Sequence, residues 1–131
     1  MGIIPVLPDG RIILIKQYRY AVQHELLEIP AGTLEKGEDA SHCAKRELRE
    51  ETGYKAGRME KLLSCYMAPG YSSELVHIFV ATKLTRKNAE TELDEDIAIE
   101  KMDPNEIGRM IKNNVIVDAK TIAGMLAYFH R

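Results

Sequence analysis

The sequence predicts an α/β fold, in which helices pack on both faces of a mixed β-sheet as an α/β/α sandwich. Residues 40–52 contain neither Pro nor Gly and are rich in helix formers. Residues 75–80 are almost continuously apolar, which is typical of a strand covered on both faces. With 131 residues the chain is long enough for a single domain over residues 1–131, but not for two.

Three strands are predicted before the helix. Residues 3–7 and 11–18 favour strands and flank Pro8-Asp9-Gly10, which is typical of a hairpin turn. Residues 25–29 resemble a short strand that Pro30 ends.

The helix itself is expected to begin after Asp39 as N-cap and to stop at Gly53. Two further strands, 58–67 and 74–84, flank a loop at 68–73 that is rich in turn residues.

Residues 85–96 are polar and acidic and predict a loop, and residues 97–102 predict a strand. Asp103 and Pro104 mark the start of a helix that ends near Asn113. Asp118 begins the last helix, which carries an apolar stripe with helical spacing. The stripe, expected to serve core or dimer packing, consists of Ile122, Met125, Leu126 and Phe129.

Composition and charge argue against two classes of partner. The net charge is -2, and the sequence contains no basic run with interleaved aromatic residues, so nucleic acid is not expected as a partner. No apolar stretch approaches the ~20 residues that span a bilayer, and the N-terminus does not resemble a signal peptide. A cytoplasmic location is therefore expected.

Three carboxylates on the predicted helix suggest a chemistry. Glu47, Glu50 and Glu51 are spaced i, i+3, i+4 and share one face near the negative end of the helix dipole. Their mutual repulsion is tolerated more readily if cations bind there, and oxygen ligands suit Mg²⁺ or Mn²⁺. Arg46 lies four residues before Glu50 and is placed to pair with it. Taken alone, the three acids also fit an acidic helix end that faces water.

The wider segment from Gly32 to Gly53 resembles the Nudix box, the signature of hydrolases that cut a diphosphate joined to another group. It reads G-x5-E-x7-R-E-L-x-E-E-x-G, so that seven polar or glycine positions and one aliphatic position match. Tyr54 departs from the aliphatic residue that is usual at the last position of the box.

Further residues resemble the ADP-ribose pyrophosphatase branch of that family. Pro69 lies sixteen residues after Gly53, which is a marker of the branch. Three other segments are similar to the branch, namely Gln17–Tyr20, Glu25–Gly32 and the acidic loop Glu92–Asp96.

The resemblance implies a role for each matching residue. Metal would be bound by the Ala31 carbonyl, Glu47 and Glu51. A Glu of the 92–95 loop, either Glu92 or Glu95, would bind a further metal or position the attacking water. Catalytic residues would also include Glu50 beside the metal ligands, with Glu38 and Arg46 orienting the cluster. The substrate-binding residues would be Arg19, which would contact a phosphate, Glu74, which would contact the distal ribose, and Gly32.

The implied reaction is the Mg²⁺-dependent hydrolysis of ADP-ribose to AMP and ribose 5-phosphate, with Mn²⁺ as a possible replacement. Family members commonly carry an N-terminal β-segment before the first strand predicted here, and a homodimer is expected to complete the substrate pocket. Two alternatives remain: hydrolysis of another nucleotide sugar or a nucleoside triphosphate, and a non-catalytic domain that senses ADP-ribose.

Overall fold

The computed structural model of the protein describes residues 1–86 and 97–131, which form six strands and three helices. The strands are β1 (Gly2–Pro5), β2 (Ile12–Arg19), β3 (His24–Glu28), β4 (Tyr54–Tyr66), β5 (Leu75–Arg86) and β6 (Ile97–Met102). The helices are α1 (Ala40–Thr52), α2 (Pro104–Lys112) and α3 (Ala119–Phe129). Within these ranges, the helices are too short and too polar to cross a membrane.

The strands form two three-stranded sheets. One has the order β1-β5-β4, with β1 parallel to β5 and β4 antiparallel to β5, and the other has the order β3-β2-β6 with antiparallel neighbours throughout. The first sheet is therefore mixed, as the sequence predicts.

Apolar residues from both sheet faces build two separate cores. Ile3 and Phe79 lie in the core beneath α1, whereas their neighbours Ile4 and Ile78 lie in the core beneath α2 and α3. Because consecutive strand residues point to opposite faces, a continuous apolar run is what a strand between two cores requires. The predicted α/β/α sandwich is confirmed.

The predicted hairpin between the first two strands is wrong in its pairing. A turn does form, since Val6 and Ile12 make an isolated antiparallel bridge. However, β1 joins β5 in parallel, with Ile3 opposite Phe79, and β2 lies in the other sheet. A Pro-Asp-Gly turn specifies a reversal of the chain but does not specify which partner each strand then takes.

Helix α1 has the bounds and caps that the sequence predicts. The Asp39 side chain accepts a hydrogen bond of 2.8 Å from the His42 N–H, which satisfies one of the free donors of the first turn. At the other end Gly53 adopts the left-handed conformation with φ 78°, and its N–H donates to the Arg49 carbonyl. These caps fix where the acidic face of the helix stops.

The end of β3 is tied to α3 by one buried hydroxyl group. The Thr121 Oγ1 atom, on a fully buried residue, accepts a hydrogen bond of 2.9 Å from the Ile29 N–H and donates one of 2.6 Å to Asp118. The chain after β3 is thus held against the last helix just before it reaches Gly32.

We expect Thr121→Val to lower the free energy of unfolding by about 1–3 kcal/mol, because the side chain keeps its shape while the buried Ile29 N–H loses its acceptor. Thr121→Ser is the matched control, since it keeps the hydroxyl and loses one methyl group, at a cost of about 1 kcal/mol. Chemical denaturation of both variants measures the difference. Equal stability of Thr121→Val and the wild type would contradict the role of this hydroxyl.

Candidate active site

The segment after β3 lies directly against α1, and Gly32 makes the closest approach. A Cβ atom built on Gly32 would lie 2.0 Å from the Glu47 carboxyl carbon and 2.2 Å from its Oε1 atom. Any side chain here would therefore occupy the space of the Glu47 carboxylate. The glycine of the G-x5-E spacing is required by this contact rather than by a left-handed backbone.

Arg46 organises the carboxylates around it. Its guanidinium donates to Glu38 through Nε at 2.8 Å and Nη2 at 3.0 Å, in a bidentate pair. Its Nη1 atom donates to Glu47 at 2.9 Å and to Glu50 at 3.2 Å, so the predicted pairing with Glu50 is found. Hydrogen bonds from Arg46 lower the pKa of Glu38 to about 2. One guanidinium thus fixes the geometry of three carboxylates.

Glu51 has a strongly raised pKa, in contrast to Glu38. Burial raises its pKa to about 7, and the charges of Glu47 and Glu28 add to this rise. Its Oε2 atom accepts a hydrogen bond of 3.3 Å from the Ala31 N–H, which acts in the opposite direction. Burial also raises the pKa of Glu47, and the nearby Arg46 charge limits that rise.

A second ion-pair network lies beside Glu51 and centres on Glu28. This carboxylate is only 1% exposed, and it accepts two hydrogen bonds of 2.7 Å from Arg19. Lys120 of α3 donates to Glu28 and, at 2.9 Å, to Asp118. Burial alone raises the pKa of Glu28, but the bonds from Arg19 and Lys120 outweigh it and hold this pKa below its usual value.

The structure brings together only part of the predicted site. Ala31, Gly32, Arg46 and the three carboxylates of α1 are adjacent, with Glu38 joined to them through Arg46. Arg19 reaches the same region through Glu28, whose charge acts on Glu51.

Two groups of predicted residues lie apart from that cluster or beyond the described ranges. Glu74 has an exposed side chain at the end of the β4–β5 loop, where its N–H donates to the Ser72 hydroxyl. Pro69 begins the turn of that loop, which the Tyr71 N–H closes on the Ala68 carbonyl. Glu92 and Glu95 lie outside the described residues.

Three residues of this second network, Glu28, Asp118 and Lys120, are not predicted as site residues by the sequence. Asp118 can be recognised from the sequence as the N-cap of α3. Nothing in the sequence links Lys120 to Glu28, which lies 92 residues earlier. Glu28 could have been singled out as an acid between the apolar residues Leu27 and Ile29, where an unpaired buried charge is expensive.

The donors at the site are all oxygens, which fit a hard divalent cation. Glu47 and Glu51 carry buried or half-buried carboxylates with raised pKa values, which is the state expected of acids that lack a sufficient positive charge nearby. In residues 1–86 and 97–131, however, no three acidic, His or Cys side chains already converge as metal ligands. A cation would therefore have to draw on groups that now bond to Arg46 and Ala31.

Comparison with known proteins agrees with this geometry. A family model described as NUDIX domain matches residues 1–125. An ADP-ribose pyrophosphatase of Bacillus subtilis (strain 168) is 39% identical over 123 residues, which cover 92% of this chain and 66% of that protein. A methanol dehydrogenase activator of Bacillus methanolicus is 39% identical over 124 residues, which cover 93% of this chain and 67% of the relative.

Two further matches extend the comparison. A GDP-mannose pyrophosphatase of Citrobacter koseri is 37% identical over 128 residues, which cover 91% of this chain and 66% of the relative. A crystal structure of an ADP compounds hydrolase superposes with a TM-score of 0.87 at 25% identity, covering 98% of this chain and 69% of that one. The chain thus spans about two thirds of the length of the curated relatives it matches.

We expect Glu51→Gln to raise the melting temperature of the metal-free protein by at least about 3 °C at pH 8, because a buried charge is removed. A carboxyl group whose folded pKa is about 7, against 4.5 unfolded, loses stability as the pH rises through that window. The advantage should therefore be complete above pH 7 and absent below pH 4.5.

Thermal melts in EDTA across this pH range test the expectation. Glu50→Gln is the matched control, because the Glu50 side chain is 55% exposed and water already screens its charge. A gain in stability that does not depend on pH, or that is equal in both variants, would contradict the assignment to Glu51.

Proposed function

Because the chain belongs to the Nudix family, we propose that it is a pyrophosphohydrolase that cleaves ADP-ribose to AMP and ribose 5-phosphate. The main support for this proposal is the close contact of Gly32 with Glu47, which places the α1 carboxylates against the Ala31 backbone. Arg46 fixes the geometry of these carboxylates. The similarity to an ADP-ribose pyrophosphatase and to an ADP compounds hydrolase supports the choice of substrate.

The metal ligands in this proposal are the Ala31 carbonyl, Glu47 and Glu51, with Glu95 or Glu92 as a further ligand. Members of the family generally use divalent cations, and Mg²⁺ is the proposed ion here, with Mn²⁺ as a substitute. When bound, such a cation neutralises diphosphate charge and activates water. Arg46 and Glu38 keep the Glu47 carboxylate in position, and Glu50 stays beside it.

Arg19 is proposed to contact a phosphate of the substrate. Its Nε and Nη2 atoms are engaged by Glu28, which leaves the Nη1 donors for another oxygen. Because Glu28 is itself held by Lys120, the guanidinium is oriented before substrate arrives. Glu74 is proposed to contact the distal ribose from the β4–β5 loop.

A second candidate substrate is a different nucleotide sugar, since several similar proteins are GDP-mannose pyrophosphatases. A nucleoside triphosphate is a third. The alternative of another class is a non-catalytic domain that binds ADP-ribose as a sensor. The similarity to a methanol dehydrogenase activator is the reason to test it.

We expect the purified chain to hydrolyse ADP-ribose with Mg²⁺ or Mn²⁺ and to lose this activity in EDTA, because the carboxylates alone repel the diphosphate. A panel of ADP-ribose, GDP-mannose and nucleoside triphosphates, with AMP and ribose 5-phosphate quantified, ranks the substrates. Turnover that persists in EDTA, or preferred turnover of another substrate, would contradict this proposal. Binding of ADP-ribose without turnover would favour the sensor.

We expect Gly32→Ala to lower kcat/KM by at least ~10²-fold, the scale of losing one well-placed electrostatic group. The new methyl group would displace the Glu47 carboxylate, which rotates at little cost in stability. Gly70→Ala is the matched control, because a Cβ atom there meets nothing within 4 Å. Near-normal activity of Gly32→Ala would reject the proposed role of the Gly32–Glu47 contact.

We also propose that the protein is a homodimer, with the turn between β2 and β3 at the boundary. Tyr18 and Tyr20 lie 44% and 86% exposed there, and their rings meet edge to face at 5.0 Å. Exposed tyrosines are enriched at protein interfaces, and a partner seated here would lie next to Arg19. Helix α3 offers little surface for a dimer contact, because three residues of its apolar stripe, Ile122, Met125 and Phe129, pack in the core. Leu126 is the exposed member of that stripe.

Light scattering is expected to give a mass about twice the 14.8 kDa of one chain. Tyr20→Asp should shift the mass toward one chain and raise the KM for ADP-ribose, because it places a charge in the contact. Tyr71→Asp, at a residue that is 90% exposed on another loop, is the control and should leave the mass unchanged. A single-chain mass for the wild type would overturn the dimer.

A further inference from the structure

A pocket of about 280 Å³ lies between α1 and the start of β4, and its wall is almost entirely basic. The residues that line it are His42, Lys45, Arg46, Arg49, Lys55 and Ala56. The protein as a whole carries a net charge of -2, so this concentration of cations is local. Positive charge gathered in a concave surface focuses the potential there and attracts anions.

The pocket is distinct from the carboxylate face of the same helix. His42, Lys45 and Arg49 are spaced i, i+3, i+7 and line one side of α1. Glu47 and Glu51 lie on another side, where they meet the Ala31–Gly32 segment. Arg46 stands between the two sides, because it lines the pocket and also bonds to Glu38 and Glu47.

Three of the lining cations face the pocket without a carboxylate to balance them. Within the described residues, Lys45, Arg49 and Lys55 make no ion pair, whereas His42 and Arg46 are both paired with Glu38. Like charges at i and i+4, as at Lys45 and Arg49, destabilise a helix by about 0.2–0.5 kcal/mol. A bound anion would remove that repulsion.

The size and the chemistry of the wall define the class of ligand. The cavity lies at the lower end of the roughly 300–1,000 Å³ found for small-molecule sites, which suits a short chain of phosphate groups better than a whole nucleotide. Ala56 is the apolar member of the wall, and the described lining residues include no Phe, Tyr or Trp on which a base could stack. Ammonium, guanidinium and imidazole groups are donors suited to phosphate oxygens.

We propose that this basic pocket is a second binding site, separate from the carboxylate cluster, for an oligophosphate anion held by Lys45, Arg49 and Lys55. Its occupant would also reach the Arg46 guanidinium, which bonds to Glu38 and Glu47. Binding in the pocket therefore acts on the same cation that orients the carboxylates. The site requires no divalent ion and does not depend on which substrate the protein hydrolyses.

Titration of the full chain with tripolyphosphate in EDTA tests this site, because without a divalent cation the carboxylate face repels the same anion. Calorimetry at about 0.15 M salt, where the Debye length is ~8 Å, suppresses diffuse attraction. We expect one tripolyphosphate per chain, and at least about tenfold weaker binding by the triple variant Lys45→Gln, Arg49→Gln and Lys55→Gln. The single variant Lys55→Gln should show an intermediate loss of tripolyphosphate affinity. It replaces the triple variant in this test if the triple variant does not fold.

The control is the triple variant Lys61→Gln, Arg109→Gln and Lys112→Gln, which removes the same charge from exposed positions on β4 and α2. It should bind as the wild type does. Equal loss in the pocket and control variants would show attraction to net charge alone and overturn the proposal. The absence of binding by the wild type, or unchanged binding by the pocket variants, would overturn it as well.

Discussion

The close contact between Gly32 and the Glu47 carboxylate is the constraint on which the arrangement of the site depends. It sets the distance between the segment after β3 and helix α1, and it brings the Ala31 N–H within reach of Glu51. The same segment is tied to the first sheet, because the Gly32 N–H donates to the Met1 carbonyl and the Ile3 N–H donates to the Pro30 carbonyl. Both sheets and the helix therefore converge on a backbone stretch where an additional side chain would displace the Glu47 carboxylate.

Around that contact, the protein keeps acids where they cost stability. Glu51 is half-buried with a pKa of about 7, and Glu28 is buried but compensated by Arg19 and Lys120. The two cases differ in what balances the charge, since Glu28 has two cations within hydrogen-bond distance and Glu51 has one backbone N–H. A fully compensated acid contributes to structure, whereas an under-compensated one retains affinity for an added cation. This division separates Glu28, which orients Arg19, from Glu51, which is proposed to bind the metal.

The sequence predicts the local elements well and the long-range pairings poorly. Helix α1 and its caps follow from residues 39–53 alone, because capping and helix propensity act over a few residues. The parallel pairing of β1 with β5 joins residues more than seventy positions apart, and no turn residue encodes it. The contact of Arg46 with Glu50 is an i, i+4 relation and was predictable, whereas that of Lys120 with Glu28 depends on how α3 docks. Gly32 could be matched to a motif, but the reason why a glycine is needed there is its short distance to Glu47, which only the fold defines.

The bond from Lys120 to Glu28 also bears on the order in which the protein is made. Glu28 leaves the ribosome 92 residues before Lys120 does, so until α3 emerges the acid has Arg19 and water as its partners. Its strand cannot be sealed into the interior earlier without enclosing a charge that only Arg19 balances. Helix α3 thus completes the ion pairs of Glu28, and contacts of such long sequence separation form late because loop closure opposes them. Translation that pauses before the last helix should leave a compact but open chain, which chaperones and proteases can still recognise.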